Sequence, residues 1–254
     1  MNIDLNSDLA EGFGQYRAGD DFAMLDVVTS ANIACGFHAG DPHIMADVMK
    51  RARDRRVAIG AHPGYPDIWG FGRRALPFSI SQVEHLIAYQ VSAAQGIAAL
   101  TGHKITFVKP HGALGNLADE NFEVADAVAR AIRAVDSNLG LVATALGQLV
   151  PAGEKQSLRV YHEVFADRQY RDDGLLQPRS EPGAVIHDPA VASQRIVQML
   201  ESGSLTTITG KTLPTPIHTV CVHGDTPDAV TMAHTLRAHL EKAGVTISPF
   251  APAY

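Results

Sequence analysis

The chain has 254 residues, 46% of them hydrophobic and 6% aromatic, which is typical of one soluble domain with a large core. The formal net charge is -6 and the 21 Lys and Arg are scattered along the chain, which argues against a nucleic-acid surface. The sequence has no secretion signal, and no apolar run approaches the roughly 20 residues of a membrane helix, so we expect a cytoplasmic protein that does not bind membranes.

Strand and helix signals alternate along almost the whole chain. The expected strands are 2–6, 32–38, 57–61, 105–109, 139–143, 158–165 and 219–223, and residues 245–248 form either an eighth strand or a closing tail. The expected helices are 21–28, 42–56, 79–101, 120–134, 146–156, 189–201 and 227–243. Asp41, Ser79 with Gln82 (or Ser81 with Glu84), and Thr226 are the expected caps of three of these helices.

Strands separated by helices pair in parallel through right-handed crossovers. We therefore expect an α/β protein whose residues 1–254 form a single parallel (β/α) barrel domain, seven-stranded and TIM-barrel-like. Two segments interrupt the alternation. Residues 64–78 form a long loop that carries Trp69, Phe71 and several glycines and is expected to be a lid. Residues 205–217 are expected to form a hairpin that turns at Gly210.

Four apolar runs end in histidine, namely His38, His62, His111 and His223. One histidine at a strand end is usually structural, but four at the same topological position indicate an active site, because reacting groups collect at the carboxyl ends of parallel strands. Cys35 and Cys221 lie within two of these runs and are expected to be buried thiols of a reducing compartment.

Strand alternation predicts a polar mouth above an apolar barrel. The side chains expected to face that mouth are Asn6, Asn32, His38, His62, Lys109, His111, Glu163, Asp167, His223 and Asp225. Lys109 is a cation fixed by a strand, so it is our expected anchor for an anionic substrate. The alternative is a structural ion pair of Lys109 with Glu163 or Asp167.

Long motifs in the chain resemble those of the LamB/YcsF family. They are Asp4–Gly12, Ser30–Pro42, Ile59–Pro63, Phe71–Arg73, Val108–Gly112, Glu163–Arg168 and Val222–Asp225. The chain departs from the family pattern at Ala10, where a glycine is usual, and at Gly115, where a tyrosine is usual. The resemblance implies a barrel akin to those of glycoside hydrolases and polysaccharide deacetylases.

The resemblance also implies an activity, because the family is the A subunit of bacterial ATP-dependent 5-oxoprolinase. Such an enzyme is a hydrolase acting on a cyclic amide. It converts 5-oxo-L-proline to L-glutamate with B and C partner subunits, and ATP enters through the holoenzyme. The expected catalytic residues are Asp8, His38, His62, Lys109, His111, Asp167 and His223. The expected substrate-binding residues are Asn6, Glu11, Asn32, Arg73, Arg168 and Asp225.

Two other classes of function fit the same residues. In the first, a divalent metal ion held by Asp8, His38 and either His62 or His111 activates water in a deacetylase or amidohydrolase. The chain has no short His-x-x-x-His pair that would indicate such a site locally. In the second, the chain binds the substrate for its partners without chemistry of its own.

Overall fold

The structure is a computed structural model that describes residues 1–224 and 228–251. Its strands are β1 (Asn2–Leu9), β2 (Ser30–Ala34), β3 (Ala58–His62), β4 (Ile105–Val108), β5 (Gly140–Thr144), β6 (Arg159–Phe165), β7 (Ser204–Thr206), β8 (Thr212–Pro214), β9 (Thr219–Cys221) and β10 (Thr246–Ile247). Its helices are α1 (Asp21–Leu25), α2 (Pro42–Arg55), α3 (Ile80–Thr101), α4 (Gly112–Glu120), α5 (Phe122–Val135), α6 (Leu149–Lys155), α7 (Pro189–Ser202) and α8 (Ala229–Lys242).

Seven parallel strands close into a barrel in the order β1-β2-β3-β4-β5-β6-β9, and β9 returns to β1. Thr219 of β9 is in register with Glu163 on one side and with Asp4 on the other, which closes the ring. The predicted parallel barrel and its strand number are confirmed. The short β10 pairs with β1 at Asn2 and Ile3, beside the barrel rather than within it.

Large side chains fill the amino-terminal half of the barrel interior. Phe107, Val142 and Tyr161 pack there against Phe250. Gly60 makes room for this layer, because a Cβ at that position would lie 2.2 Å from the Phe107 ring. The outward faces of the strands pack against the helices in one large apolar cluster. Polar side chains are therefore left to the carboxyl-terminal half of the barrel.

Two predicted helix starts agree with the observed caps. The Asp41 carboxylate accepts hydrogen bonds from the backbone N–H groups of His43 and Ile44, and Pro42 takes the first helical position. Ser79 and Gln82 form the capping box of α3. The antiparallel hairpin of β7 and β8 lies at the predicted place. Thr226 and Asp225 lie outside the described residues.

Several boundaries differ from the prediction. The strand expected over 32–38 ends at Ala34, because Gly36 with φ +89 and Gly40 with φ +84 turn the chain there. In contrast, β1 continues beyond Asn6 to Leu9, so Asp8 lies on a strand. Ala10 follows with φ +59, the left-handed region that favours glycine. Helix α4 was not predicted at all, because Gly112 and Gly115 made the segment resemble a loop.

No helix in residues 1–224 or 228–251 is long and apolar enough to span a bilayer. Both cysteines, Cys35 and Cys221, are buried free thiols, as expected.

Candidate active site

A cavity of about 420 Å³ opens at the carboxyl ends of the barrel strands. Its floor is formed by strand residues and by residues that directly follow strands. They are Asp8, His62, Lys109, His111, Glu163, Phe165 and His223. Its rim is formed by loop residues, which include Arg73, Arg168 and Arg179. The cavity therefore lies where the strand-end motifs predicted a polar mouth.

The Lys109 ammonium lies at the centre of the floor. Its Nζ is 3.0 Å from Asp8 Oδ1, 2.9 Å from Glu163 Oε1 and 3.2 Å from Cys221 Sγ, and the residue is only 5% exposed. Burial alone would lower the pKa of Lys109, but the adjacent anionic groups, first Asp8, raise it well above its usual value. Of the two expected partners, Glu163 is the one observed, whereas Asp167 pairs elsewhere.

Two asparagines donate side-chain hydrogen bonds to the carboxylates of this ion-pair network. Asn6 Nδ2 donates to Glu163 Oε1 at 3.0 Å, and Asn32 Nδ2 donates to Asp8 Oδ1 at 2.8 Å. A further hydrogen bond of 2.7 Å joins Asn32 Nδ2 to Asn6 Oδ1. Both side chains are fully buried beneath the floor. They orient the carboxylates, which corrects our expectation that Asn6 and Asn32 contact substrate.

Three histidines form a compact cluster on one side of the cavity. The rings of His38 and His111 stack with centroids 3.6 Å apart, and His111 Nδ1 is 3.0 Å from His62 Nε2. Burial, followed by the proximity of His62, lowers the pKa of His111 to about 3. Burial likewise lowers the pKa of His38 well below its usual value, so His38 and His111 are neutral imidazoles at ordinary pH.

Within this cluster, His38 is not among the described residues that line the cavity. It is fully buried, and its Nε2 donates to Glu11 Oε1 at 3.0 Å. Its other ring nitrogen, Nδ1, has no hydrogen-bond partner among the described residues. We had expected four histidines around one pocket and Glu11 in contact with substrate. Instead, His62, His111 and His223 line the cavity, and the buried Glu11 carboxylate joins His38 to the cluster through its 3.4 Å contact with His111 Nδ1.

His223 and Asp167 form a separate pair on the opposite side of the floor. His223 Nδ1 is 2.8 Å from both carboxylate oxygens of Asp167, and the imidazole stacks on the Phe165 ring. Burial acts to raise the pKa of Asp167, but the charge and hydrogen bond of His223 outweigh it and lower the pKa. The carboxylate therefore holds His223 with its proton on Nδ1 and leaves Nε2 for other chemistry.

The rim contributes guanidinium groups. Arg168 is 5% exposed; one of its terminal nitrogens donates to the Gln177 carbonyl at 2.6 Å, while its Nε has no partner among the described residues. Burial and then the charge of Arg179 lower the pKa of Arg168 to about 10. Arg73 extends over the Phe71 ring. Sequence reasoning identified Arg73 and Arg168 but missed Arg179, which lies in an irregular segment without a periodic pattern.

Helix α4 adds a further wall that the sequence analysis did not foresee. Gly115 and Asp119, four residues apart on this helix, both line the cavity. A Cβ at Gly115 would approach the Pro110 carbonyl oxygen to 2.9 Å. Burial raises the pKa of Asp119 to about 7. Had this helix been predicted, the i, i+4 spacing would have placed the two residues on the same helix face.

The loop 64–78 covers the histidine cluster. The Phe71 carbonyl accepts a 2.8 Å hydrogen bond from His111 Nε2, and Gly72 lies so close that a Cβ there would be 2.6 Å from His38 Cβ. Tyr65 is fully buried, whereas Trp69 is 97% exposed. Trp69 therefore points into solvent, and the expected closure of this loop as a lid stays a prediction.

Fold and site together define a parallel (β/α) barrel protein with a polar pocket of imidazoles, carboxylates and one ammonium at the carboxyl ends of its strands. Within that class, the chain belongs to the LamB/YcsF family, whose model matches residues 3–254.

Relatives and solved structures agree with this assignment. The chain is 55% identical to the 5-oxoprolinase A subunit of Azorhizobium caulinodans over 251 residues, which is 99% of each chain. It is 52% identical to the 5-oxoprolinase A subunit of Gluconobacter oxydans, and 96% of each chain is covered. The crystal structure of the lactam utilization protein from Thermus thermophilus has a TM-score of 0.92 at 38% identity, covering 98% of this chain and 100% of that one. A putative cellobiose-phosphate cleavage protein from Enterococcus faecalis shares the fold, with a TM-score of 0.55 and 14% identity over 97% of this chain and 96% of that one.

Proposed function

We propose that this chain is the A subunit of an ATP-dependent 5-oxoprolinase, which opens the lactam ring of 5-oxo-L-proline to give L-glutamate. The observation that carries the proposal is the near full-length similarity, above 50% identity, to curated proteins with that name. The proposal includes B and C partner subunits, a cytoplasmic location and ATP that acts through the assembled enzyme. The cavity at the strand ends supports it, because a volume of about 420 Å³ is within the range of small-molecule sites, roughly 300–1,000 Å³.

The chemistry requires the lactam carbonyl to be activated, because an amide is a poor electrophile. In the proposed reaction the γ-phosphoryl group of ATP is transferred to the lactam oxygen. Water then attacks the activated carbon, the ring C–N bond breaks and the nitrogen takes a proton, which leaves the γ-acyl phosphate of glutamate. A second water hydrolyses this acyl phosphate and releases phosphate, so ring opening and ATP cleavage together consume two water molecules. The net products are glutamate, ADP and phosphate. Two proton transfers must be supplied by the protein, one from water and one to the ring nitrogen.

His223 is the group best arranged for those proton transfers. Asp167 binds its Nδ1 through two 2.8 Å contacts, so Nε2 is the nitrogen that exchanges protons at the cavity. A carboxylate that orients an imidazole in this way also stabilises the imidazolium that forms during proton transfer. We assign His223 as the acid–base residue and Asp167 as its positioning residue.

Arg168 and Arg73 are the proposed binding groups for anionic oxygens of the substrate. Arg168 lines the cavity although it is nearly buried, and guanidinium groups recognise carboxylate and phosphoryl oxygens well. Lys109 receives a different role from the anchor expected from sequence. Because Asp8 and Glu163 already surround its ammonium, we propose that Lys109 orients these two carboxylates at the floor.

The proposal is tested by combining the purified chain with its B and C partners and measuring glutamate formation from 5-oxoproline. We expect formation only when ATP and all three subunits are present. Glutamate formation without ATP, or from the partners alone at the same rate, would contradict it. A passive substrate-binding role is separated by His223→Gln, with His162→Gln as the control. His162 is half-buried like His223, but it bonds a backbone carbonyl and is not among the described residues that line the cavity. A passive role predicts that both variants retain turnover, whereas acid–base chemistry predicts that only His223→Gln loses it.

A further inference from the structure

Two buried imidazole nitrogens, one from His62 and one from His111, face each other at hydrogen-bond distance. His62 Nδ1 is 2.6 Å from the Lys109 carbonyl oxygen, and His111 Nε2 is 2.8 Å from the Phe71 carbonyl oxygen. A carbonyl oxygen only accepts hydrogen bonds, so each of these ring nitrogens carries a hydrogen, and an imidazole with a single hydrogen has none on its other nitrogen. The remaining nitrogens, His62 Nε2 and His111 Nδ1, therefore present lone pairs to each other across 3.0 Å.

Carboxylate oxygens approach the same point. Glu11 Oε1 is 3.4 Å from His111 Nδ1, and Asp8 Oδ2 is 3.5 Å from His62 Nε2. One ligand atom from each of Glu11, His38, His62 and His111 lies within 4.8 Å of the others. Opposed lone pairs in a buried site are unfavourable unless a cation lies between them, since each has lost its hydrogen bond to water.

We propose that a divalent first-row transition-metal ion binds between His62 Nε2 and His111 Nδ1, with Glu11 and Asp8 supplying carboxylate oxygens. Imidazole and carboxylate are the ligands that zinc, iron, cobalt and manganese accept in proteins. Two nitrogens about 2.1 Å from one ion and 3.0 Å apart subtend about 90°, which is the angle of octahedral coordination. Both histidines also show the usual arrangement of ligand histidines, in which the other ring N–H donates to a backbone carbonyl.

His38 is excluded from the ligand set by its own hydrogen bonding. Its Nε2–H donates to Glu11, whereas the opposite tautomer would leave a buried Nδ1–H without an acceptor among the described residues. His38 therefore positions Glu11. This set differs from the one that the sequence suggested, which contained His38 and lacked Glu11.

The inference does not depend on the proposed function, because it concerns binding alone. His62, His111 and Asp8 line the cavity, so a bound ion would act as a Lewis acid at the same place as the proposed substrate. The experiment below does not measure turnover, so its failure and the failure of the 5-oxoprolinase proposal are distinguishable.

The test is metal analysis of untagged protein purified without chelator, followed by titration of the stripped protein with Co²⁺. We expect about one ion per chain and visible absorption bands that arise from bound Co²⁺. His111→Gln and Glu11→Gln should lower the affinity by more than roughly 100-fold, beyond the effect of losing an outer-shell partner. The matched control is His103→Gln, because His103 is also buried and hydrogen-bonded to a backbone carbonyl, that of Val57.

Thermal unfolding provides a second readout. Added Co²⁺ should raise the melting temperature of the wild type and of His103→Gln by mass action, and should leave that of His111→Gln unchanged. If His111→Gln does not fold, Glu11→Gln serves the same comparison. Equal Co²⁺ affinity in the wild type, His111→Gln and Glu11→Gln would overturn the proposal. So would ¹⁵N NMR of the wild type that shows a proton shared between the two imidazoles in the presence of excess Co²⁺.

Discussion

Replacing Lys109 by methionine separates a structural role of this lysine from an anchoring role. Methionine retains most of the side-chain length but removes the charge that lies 3.0 Å from Asp8 and 2.9 Å from Glu163. These carboxylates are 8% and 1% exposed, so water cannot replace the ammonium. The substitution therefore leaves two buried anions without their shared cation.

The expected destabilisation of Lys109→Met is large. Breaking a buried ion pair by removing one partner costs about 3–5 kcal/mol, and each kcal/mol shifts the melting temperature of a chain of this size by about 2–4 °C. We expect a decrease of about 6–20 °C near pH 8. In the wild type, burial acts to raise the pKa of Asp8, but His62 and Lys109 lower it well below its usual value. This carboxylate therefore contributes stability above its unfolded-state pKa of about 4 and loses it as the pH falls. The difference between variant and wild type should accordingly shrink only below about pH 4, as the pH falls toward the much lower folded-state pKa of Asp8.

The assay is thermal unfolding followed by circular dichroism, with Lys155→Met as the matched control. Lys155 also pairs with a carboxylate, Asp126, but is exposed to solvent, so its loss should cost at most about 1 kcal/mol. The double variant Lys109→Met/Glu163→Gln should recover part of the lost stability, because one of the stranded charges is then absent. A Lys109→Met protein that has the same melting temperature as the wild type near pH 8 but has lost turnover would refute this reasoning and support the anchoring role.

Further outcomes follow from the same geometry. Asp167→Asn should lower turnover by roughly 10²- to 10⁴-fold with little change in KM, as measured in the assembled enzyme, because His223 loses its orientation. Gly14→Ala (φ +57) should cost about 1–2 kcal/mol in chemical denaturation, because its Cβ faces open space and only the backbone is strained. Gly72→Ala (φ +63) should cost more and should also reduce turnover, because its Cβ would in addition meet His38 and His111. Asp119→Asn should have a higher melting temperature than the wild type near pH 8 and the same melting temperature near pH 4. The reason is that a pKa raised from 3.8 to about 7 makes the wild type lose stability as the pH rises over that interval, at up to about 1.4 kcal/mol per pH unit. Hydrogen exchange in residues 64–78 should slow when substrate and partners are added, with the single tryptophan, Trp69, as a fluorescence reporter; unchanged exchange would argue against a lid.

The fold was predictable because local and global signals agree. Alternation along β1 predicts that the side chains of Asp4 and Asn6 face the barrel interior. The caps at Asp41 and Ser79 determine where two helices begin. The ends of the strands were not predictable from alternation. Gly36 continues the pattern as a small residue on the correct face, yet its positive φ ends the extended segment. Helix α4 was missed for a related reason, since intrinsic propensity disfavours its two glycines and tertiary packing overrides that preference.

The candidate site was predictable where strands carry it. His62 and Lys109 reach the cavity because strand parity directs them there, and both were identified from sequence. The rim was only partly predictable, because residues 166–188 follow no period that would orient Arg179 toward Arg168. Pairings were the least predictable feature. Parity places Asp167 and Lys109 on the same face, but it cannot determine that Asp167 takes His223 as its partner and leaves Lys109 to Asp8.

The distribution of charge across the cavity restricts how an anionic substrate can enter. At the floor, one ammonium is shared between the carboxylates of Asp8 and Glu163, so that network carries net negative charge. At the rim, three guanidinium groups surround the opening. Because an anion is repelled by the floor and attracted by the rim, a substrate with one carboxylate should bind with that group toward Arg168 and its uncharged ring inward. That orientation would bring the uncharged part of the substrate toward His223 and the histidine cluster.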